Sequence, residues 1–268
     1  MLCYENTTID VSVDDEILRI EYIRCSPPAR LQPKGTVILL HDFFRTSYQF
    51  RHVIDLLAMG GYITLAPELP ARRVWPQRQA DQTISHESIA ASVVEMLRIV
   101  DVPKHVHLVG CGFGALIASM LTALHSELVA SATLSTKSNV NDLQAIITLP
   151  DSATRDQRLQ VLHQCLTSDK STNSLSDENI EEYAEIYFDH SVLVATQLLS
   201  RASPPSDVTA ASTTSVQAWS LELRLDVSPE EAPEHFALSV LSHANNTAKH
   251  KSPDVRAYSS SERITCKM

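Results

Sequence analysis

The chain has 268 residues, 44% of them hydrophobic and 20% charged, and a formal net charge of −10. This composition is globular. It excludes a collagen-like or wholly disordered chain, and its acidic balance argues against a nucleic-acid partner. Only six residues are glycine, against ~19 at average usage, so the few present point to positions where the backbone requires them.

The N-terminal stretch MLCYENTTID has neither the basic nor the apolar region of a signal peptide. The longest apolar stretch, Ala115 to Leu124, is about half of what a membrane span needs. Five cysteines are an odd number, and none has CxxC spacing. They read as free thiols in a reducing, cytoplasmic compartment. Eleven histidines are scattered without HExxH or HxxxH pairs, so neither a metal nor a cofactor is expected.

Ile9, Val11 and Val13 alternate, and Ile17 to Ile23 forms a second strand-like run. Asp14-Asp15-Glu16 between them predicts a hairpin turn. Thr36 to Leu40 is a short continuous apolar run, as in a buried central strand. Tyr48 to Gly60 carries an apolar face at helical spacing, with Gly60-Gly61 as its C-cap. Tyr62 to Ala66 is the next strand. After a Pro- and Arg-rich loop, Ser85 is placed to cap a helix carrying Ile89, Val93, Met96, Leu97 and Val100. Val106 to Val109 is a strand that runs into Gly110-Cys-Gly-Phe-Gly114 and then the buried helix Ala115 to Leu124. Ala130 to Leu134 follows as another strand.

This alternation predicts an α/β fold with a doubly wound, mostly parallel sheet. Beyond it the chain turns helical and polar. Ser176 is placed to cap a helix with Ile180, Tyr183, Ala184 and Tyr187 on one face, and Ser203 to Ser215 is linker-like. A strand in Val216 to Leu225, a helix in Pro233 to Ala244 and a strand in Val255 to Ser259 return to the sheet. The expected organisation is a core over residues 1–135, a helical insertion over 136–210 and a shortened return of the core over 211–268.

A strand followed by G-x-G-x-G and a buried helix has two physical uses. One is a dinucleotide loop, but that loop belongs on the first strand of its unit with an acidic residue about twenty further on. The other is a nucleophile elbow, in which the central residue sits on a strained turn and its second neighbours on both sides must be small. Gly110 and Gly114 meet that need, with Gly112 at the centre.

The order and spacing of Val37-Ile-Leu-Leu-His-Asp-Phe-Phe44, Tyr48-Gln-Phe-Arg51, Gly61-Tyr-Ile-Thr-Leu-Ala-Pro-Glu-Leu69 and Val106-His-Leu-Val-Gly-Cys-Gly-Phe-Gly114 resemble the α/β-hydrolase superfamily. The nearest branch is that of epoxide hydrolases and haloalkane dehalogenases, and the resemblance covers about residues 36–135. It implies an elbow nucleophile, a histidine base, an acid that orients the base, and backbone N–H groups of Phe43 and Phe113 as an oxyanion hole. It also implies a helical cap, with His41, Phe44, Trp75 and Cys111 as candidates to line the pocket beneath it.

The chain departs from the family pattern at several of these places. Position 112 is glycine, which carries no nucleophile, and Asp42 replaces the second residue of the family's His-Gly pair. No histidine follows Val255 to Ser259; His235, His243 and His250 all come earlier. The acid position is best approached by Glu222 or Asp226. The expected function is a non-catalytic or repurposed pseudo-hydrolase that holds a small apolar ligand between core and cap. The alternative is an active hydrolase of esters or epoxides using non-standard residues.

Overall fold

The computed structural model describes residues 1–42, 45–69, 85–102, 105–135, 153–167, 177–187 and 222–250. Strands β1 (Cys3–Val13) and β2 (Glu16–Ser26) form an antiparallel hairpin in register Val13↔Glu16. The turn is two residues long, Asp14-Asp15, with φ of 51° and 65°. Both are left-handed, as a tight hairpin turn with the strands' own twist demands. Glu16, expected in the turn, already belongs to β2.

The remaining strands are β3 (Gly35–Leu40), β4 (Tyr62–Pro67), β5 (Val106–Cys111), β6 (Val129–Ser135) and β7 (Glu222–Leu225). The sheet order is β1-β2-β4-β3-β5-β6-β7. β2 pairs with β4 antiparallel, and every pairing from β4 to β7 is parallel. Strand β5 runs two residues past the expected Val109, because Leu40↔Gly110 and Cys111↔Ser135 continue the ladder.

Helices α1 (Val53–Met59), α2 (His86–Ile99), α3 (Phe113–Leu124), α4 (Arg155–Thr167), α5 (Asp177–Tyr187) and α6 (Pro233–His250) complete the described elements. Side chains of the central strands divide by parity. Ile38, Leu40, Val106 and Leu108 join the core beneath α2 and α3. Val37, Leu39, Val109 and Cys111 join the core that holds α1 and α6. A strand buried on both faces is apolar at every position, hence the continuous runs.

Ser85 caps α2, its side chain accepting from Ser88 N–H at 3.0 Å. The single helix expected over Tyr48 to Gly60 is instead a 3-10 turn, Ser47–Phe50, followed by α1. The backbone stays right-handed, but Gln49 N–H bonds Thr46 O at 2.9 Å and Arg51 N–H bonds Tyr48 O at 3.1 Å. This tighter pattern turns Arg51 inward, as described below. Gly61 ends the α1 segment at φ 97°, and a side chain at Gly60 would strike Leu241 of α6.

Helix α6 runs six residues beyond the expected Ala244. Of the strand expected over Val216 to Leu225, β7 is the described part. The cap at Ser176, the linker Ser203 to Ser215 and the strand Val255 to Ser259 lie outside the described residues. Phe236 anchors α6, fully buried against the α1 side of the sheet. Phe236→Ala is expected to cost about 3–5 kcal/mol of unfolding free energy, read as a lower urea midpoint at unchanged slope.

Candidate functional site

The β5–α3 turn and the end of β3 meet at backbone contact. A Cβ on Gly110 would come within 2.6 Å of Ala115 N, and one on Gly114 within 2.7 Å of His41 O. Gly110 is therefore small because of α3's first turn, and Gly114 because of the end of β3. Between them Gly112 takes φ 51° and ψ −113°, a conformation that costs a residue with a side chain energy. Its N–H bonds Ser135 O at 2.9 Å, and its carbonyl receives Ala115 N–H at 3.0 Å to start α3. The backbone has the strained strand-to-helix shape that the resemblance implied.

The volume in front of Gly112 is filled by Asp42. A Cβ added at Gly112 would overlap the Asp42 carboxylate, meeting its Cγ and both oxygens. Asp42 Oδ1 accepts the Phe113 N–H at 2.8 Å. Asp42 thus caps α3 from across the site, where Gly112 has no side chain to do so and the helix N-terminus favours a negative charge. The expected oxyanion donor, Phe113 N–H, is engaged by this internal carboxylate.

The main chain of Asp42 is held as firmly. Its N–H donates to Gln49 Oε1 at 2.9 Å, and its carbonyl accepts from Arg45 N–H at 2.9 Å and faces His41 Nδ1 at 2.7 Å. On the other side of the ring, Leu69 N–H donates to His41 Nε2 at 2.9 Å. With Nε2 accepting from Leu69, the ring proton is assigned to Nδ1, which donates to Asp42 O; Nε2 also lies 3.5 Å from Glu68 Oε2. His41 is buried and tied through both nitrogens to backbone. It ties Leu69, just after β4, to the Asp42 carbonyl, so its role is to position Asp42.

Cys111 is buried among the side chains that pack on α1 and α6. Burial, and then the charges of Asp42 and Glu230, push its thiol well above the ordinary value, with Arg45 opposing. It is a neutral thiol at pH 7, not a thiolate nucleophile. Phe113 is half-buried, its ring 5.7 Å from that of His86 at the start of α2. Phe43, Phe44 and Trp75 lie outside the described residues. Glu222 is half-buried in β7 and Asp226 is exposed just after it.

The buried acid in this region is one the sequence reading passed over. Glu230 is enclosed by Arg45 Nη1 at 2.9 Å, Arg51 Nη1 at 3.0 Å and the Tyr183 hydroxyl at 2.9 Å. Burial, followed by the Glu230 charge, holds the Tyr183 phenol well above its usual pKa, so it stays a donor. Arg45 also lies over the Tyr183 ring and Arg51 over Tyr48, at 5.1 and 4.4 Å from the centroids. Asn179 bridges Arg51 Nη2 at 3.3 Å and the Tyr48 hydroxyl at 3.0 Å. One carboxylate thus joins the loop after β3, the segment after β7 and helix α5. Arg51 and Glu230 are 179 residues apart, and no local pattern in the chain pairs them. Asp42 did carry a signal: an acid where a glycine was due, opposite a glycine where an acid was due.

No protein-family model matches the chain. Among curated proteins, a haloalkane dehalogenase from Mycobacterium marinum (strain ATCC BAA-535 / M) is 35% identical over 126 residues, 46% of this chain and 40% of the dehalogenase. The match spans less than half the length of that relative. Among solved structures, the epoxide hydrolase CorEH superposes with a TM-score of 0.66 at 18% identity, covering 90% of this chain and 99% of the other. Epoxide hydrolase A from Mycobacterium thermoresistibile gives 0.60 at 12% identity, covering 89% and 98%. A loop variant of a haloalkane dehalogenase from Bradyrhizobium elkanii gives 0.62 at 14% identity, covering 93% and 98%. The chain has the α/β-hydrolase fold.

The shared volume of positions 42 and 112 is testable by a double-mutant cycle. Gly112→Asp alone is expected to destabilise through positive-φ strain of about 1–2 kcal/mol and through overlap with Asp42. Adding Asp42→Gly should relieve the overlap, giving a favourable coupling of about 0.5–3 kcal/mol in urea unfolding; strict additivity would refute the shared volume. Glu230→Ala leaves two half-buried guanidinium groups without their carboxylate and is expected to destabilise the fold by at most about 3 kcal/mol, below the cost of breaking a fully buried pair, measured by the same unfolding transition.

Proposed function

We propose that this chain is a hydrolase-like protein that binds a small apolar molecule between its sheet and a helical cap, without turnover by nucleophile–histidine catalysis. One observation carries this reading. Residue 112 has the elbow conformation but no side chain, and the Asp42 carboxylate fills the space where that side chain would project. An acyl oxyanion would have to displace this carboxylate from the Phe113 N–H, so ester hydrolysis through that donor is disfavoured.

In this reading residues 136–210 form the cap. Its described helices α4 and α5 fall between β6 and β7, and Asn179 and Tyr183 are the residues that seat α5 on Tyr48, Arg51 and Glu230. The neighbours are by name a haloalkane dehalogenase and an epoxide hydrolase, which supports proposing a small apolar ligand for this chain. Phe113, with Phe43, Phe44 and Trp75, is the apolar lining proposed for it. A cytoplasmic location belongs to the same reading, supported by the buried free thiols of Cys25 and Cys111.

The test is binding set against turnover. 1-Hexanol is expected to raise the melting temperature saturably, in line with about 2.7 kcal/mol of added stability at a hundredfold excess over Kd. p-Nitrophenyl butyrate and styrene oxide should show no sustained conversion. Multiple turnovers of either by pure protein, suppressed by hexanol, would overturn the reading.

A further inference from the structure

We propose that His86, the first residue of α2, is the polar anchor of the ligand site, and that the ligand it selects is a neutral alcohol with an apolar chain. This deepens the ligand-binding reading and rests on it for the apolar lining of the site.

Local structure holds the histidine in place. Ser85 caps α2 by accepting from Ser88 N–H at 3.0 Å, and the Ser88 hydroxyl donates to Asp14 Oδ2 at 2.6 Å. The first turn of α2 is thus pinned to the β1–β2 hairpin. Ile89 and Val93, on the same helix face as position 86, are buried in the core that α2 shares with α3. His86 lies at the upper end of that inward face and is 8% exposed. Its ring centroid is 5.7 Å from that of Phe113, with the planes at 45°. Phe113 follows Gly112 and is half-buried, so His86 borders the elbow from the α2 side.

The ring has hydrogen-bonding capacity to spare. Among the described residues, His86 packs on Phe113 and makes no hydrogen bond. The other two buried histidines are bonded: His41 to Leu69 N–H and the Asp42 carbonyl, and His107 to Ser131 Oγ at 2.8 Å. Taking a polar group out of water without a partner is unfavourable. A ligand that bonds the His86 ring supplies the interaction that the fold does not, beside the apolar contact offered by Phe113.

The head group follows from charge. Burial holds the His86 imidazole below its usual pKa, with the Glu87 charge opposing. The ring is neutral at pH 7 and presents one N–H donor and one acceptor nitrogen. A hydroxyl both donates and accepts, so it suits either nitrogen. An anionic head would meet no positive charge on this ring, and the neighbouring Phe113 N–H already holds the Asp42 carboxylate. An ammonium head would give up its hydration for a single neutral acceptor.

The experiment is calorimetric titration of the full chain with 1-hexanol and with benzene, in the wild type, His86→Phe and His86→Gln. Hexanol is expected to bind His86→Phe about fivefold more weakly, the worth of one neutral hydrogen bond. His86→Gln keeps a donor and an acceptor and should recover most of that loss. Benzene has no hydroxyl and should bind all three equally. In the wild type, where no variant has to fold, the ring-nitrogen NMR signals of His86 should report a new hydrogen bond with hexanol and none with benzene. Equal losses of hexanol and benzene in His86→Phe would mean a packing role and overturn the inference. Hexanol binding that leaves the ring nitrogens unchanged would overturn it too. Where either compound still binds the wild type, the ligand-binding reading survives that failure; where neither binds, both fall.

Discussion

Where two backbones touch, side chains become a joint property of both. The end of β3 and the β5–α3 turn are in that relation here, with Gly114 against the Leu40 and His41 carbonyls and Gly110 against the first turn of α3. Neither glycine can be enlarged without parting the strand from the helix. The space left over, in front of Gly112, admits one functional group. It can be rooted on the elbow or on β3, and in this chain Asp42 roots it on β3.

That choice has electrostatic consequences. A carboxylate at this place needs donors, and it obtains one from the N-terminus of α3 through Phe113 N–H. A second buried carboxylate, Glu230, lies near enough for both acids to act on Cys111, and Arg45 opposes them there. Arg45 and Arg51 compensate Glu230. Buried charges persist when they are paired and hydrogen-bonded: Glu230 accepts from Arg51 and the Tyr183 hydroxyl and is ion-paired with Arg45, while Asn179 adds a bond to Arg51. The same bonds tie α5 to the loop after β3. A shift of α5 would therefore be felt at Arg45, whose N–H bonds the Asp42 carbonyl.

The sheet and its helices were legible because they obey local rules. Continuous apolar runs mark strands buried on both faces, and Ser85 marks a helix start. The Tyr48 to Gly60 segment was misread as one helix because its apolar face runs on across the 3-10 turn, and nothing local marks the bond of Arg51 to Glu230, 179 residues away. Glu230 escaped notice for the same reason: a buried ion pair leaves no periodic trace. The elbow was legible as a shape, from Gly110, Gly112 and Gly114. It was not legible as a site, because inspection of the turn alone finds a missing nucleophile. The acid that fills its place lies two residues beyond the end of β3, and only its overlap with residue 112 in space connects the two.

This geometry changes what the glycine at 112 means. A lone loss of an elbow side chain would leave a cavity, an undercapped helix and an oxyanion donor facing it, a combination that costs stability. An acid at 42 beside an intact elbow residue would clash, as the overlap requires. Each change is unfavourable by itself and the two are compatible together. The pair is thus constrained as a unit: the site keeps its carboxylate and its capped helix whichever strand supplies the acid. What the exchange alters is the direction of approach. A group carried by β3 enters from the side of His41 and Gln49 rather than from the apex of the turn, and it is anchored by main-chain bonds at both its N–H and its carbonyl.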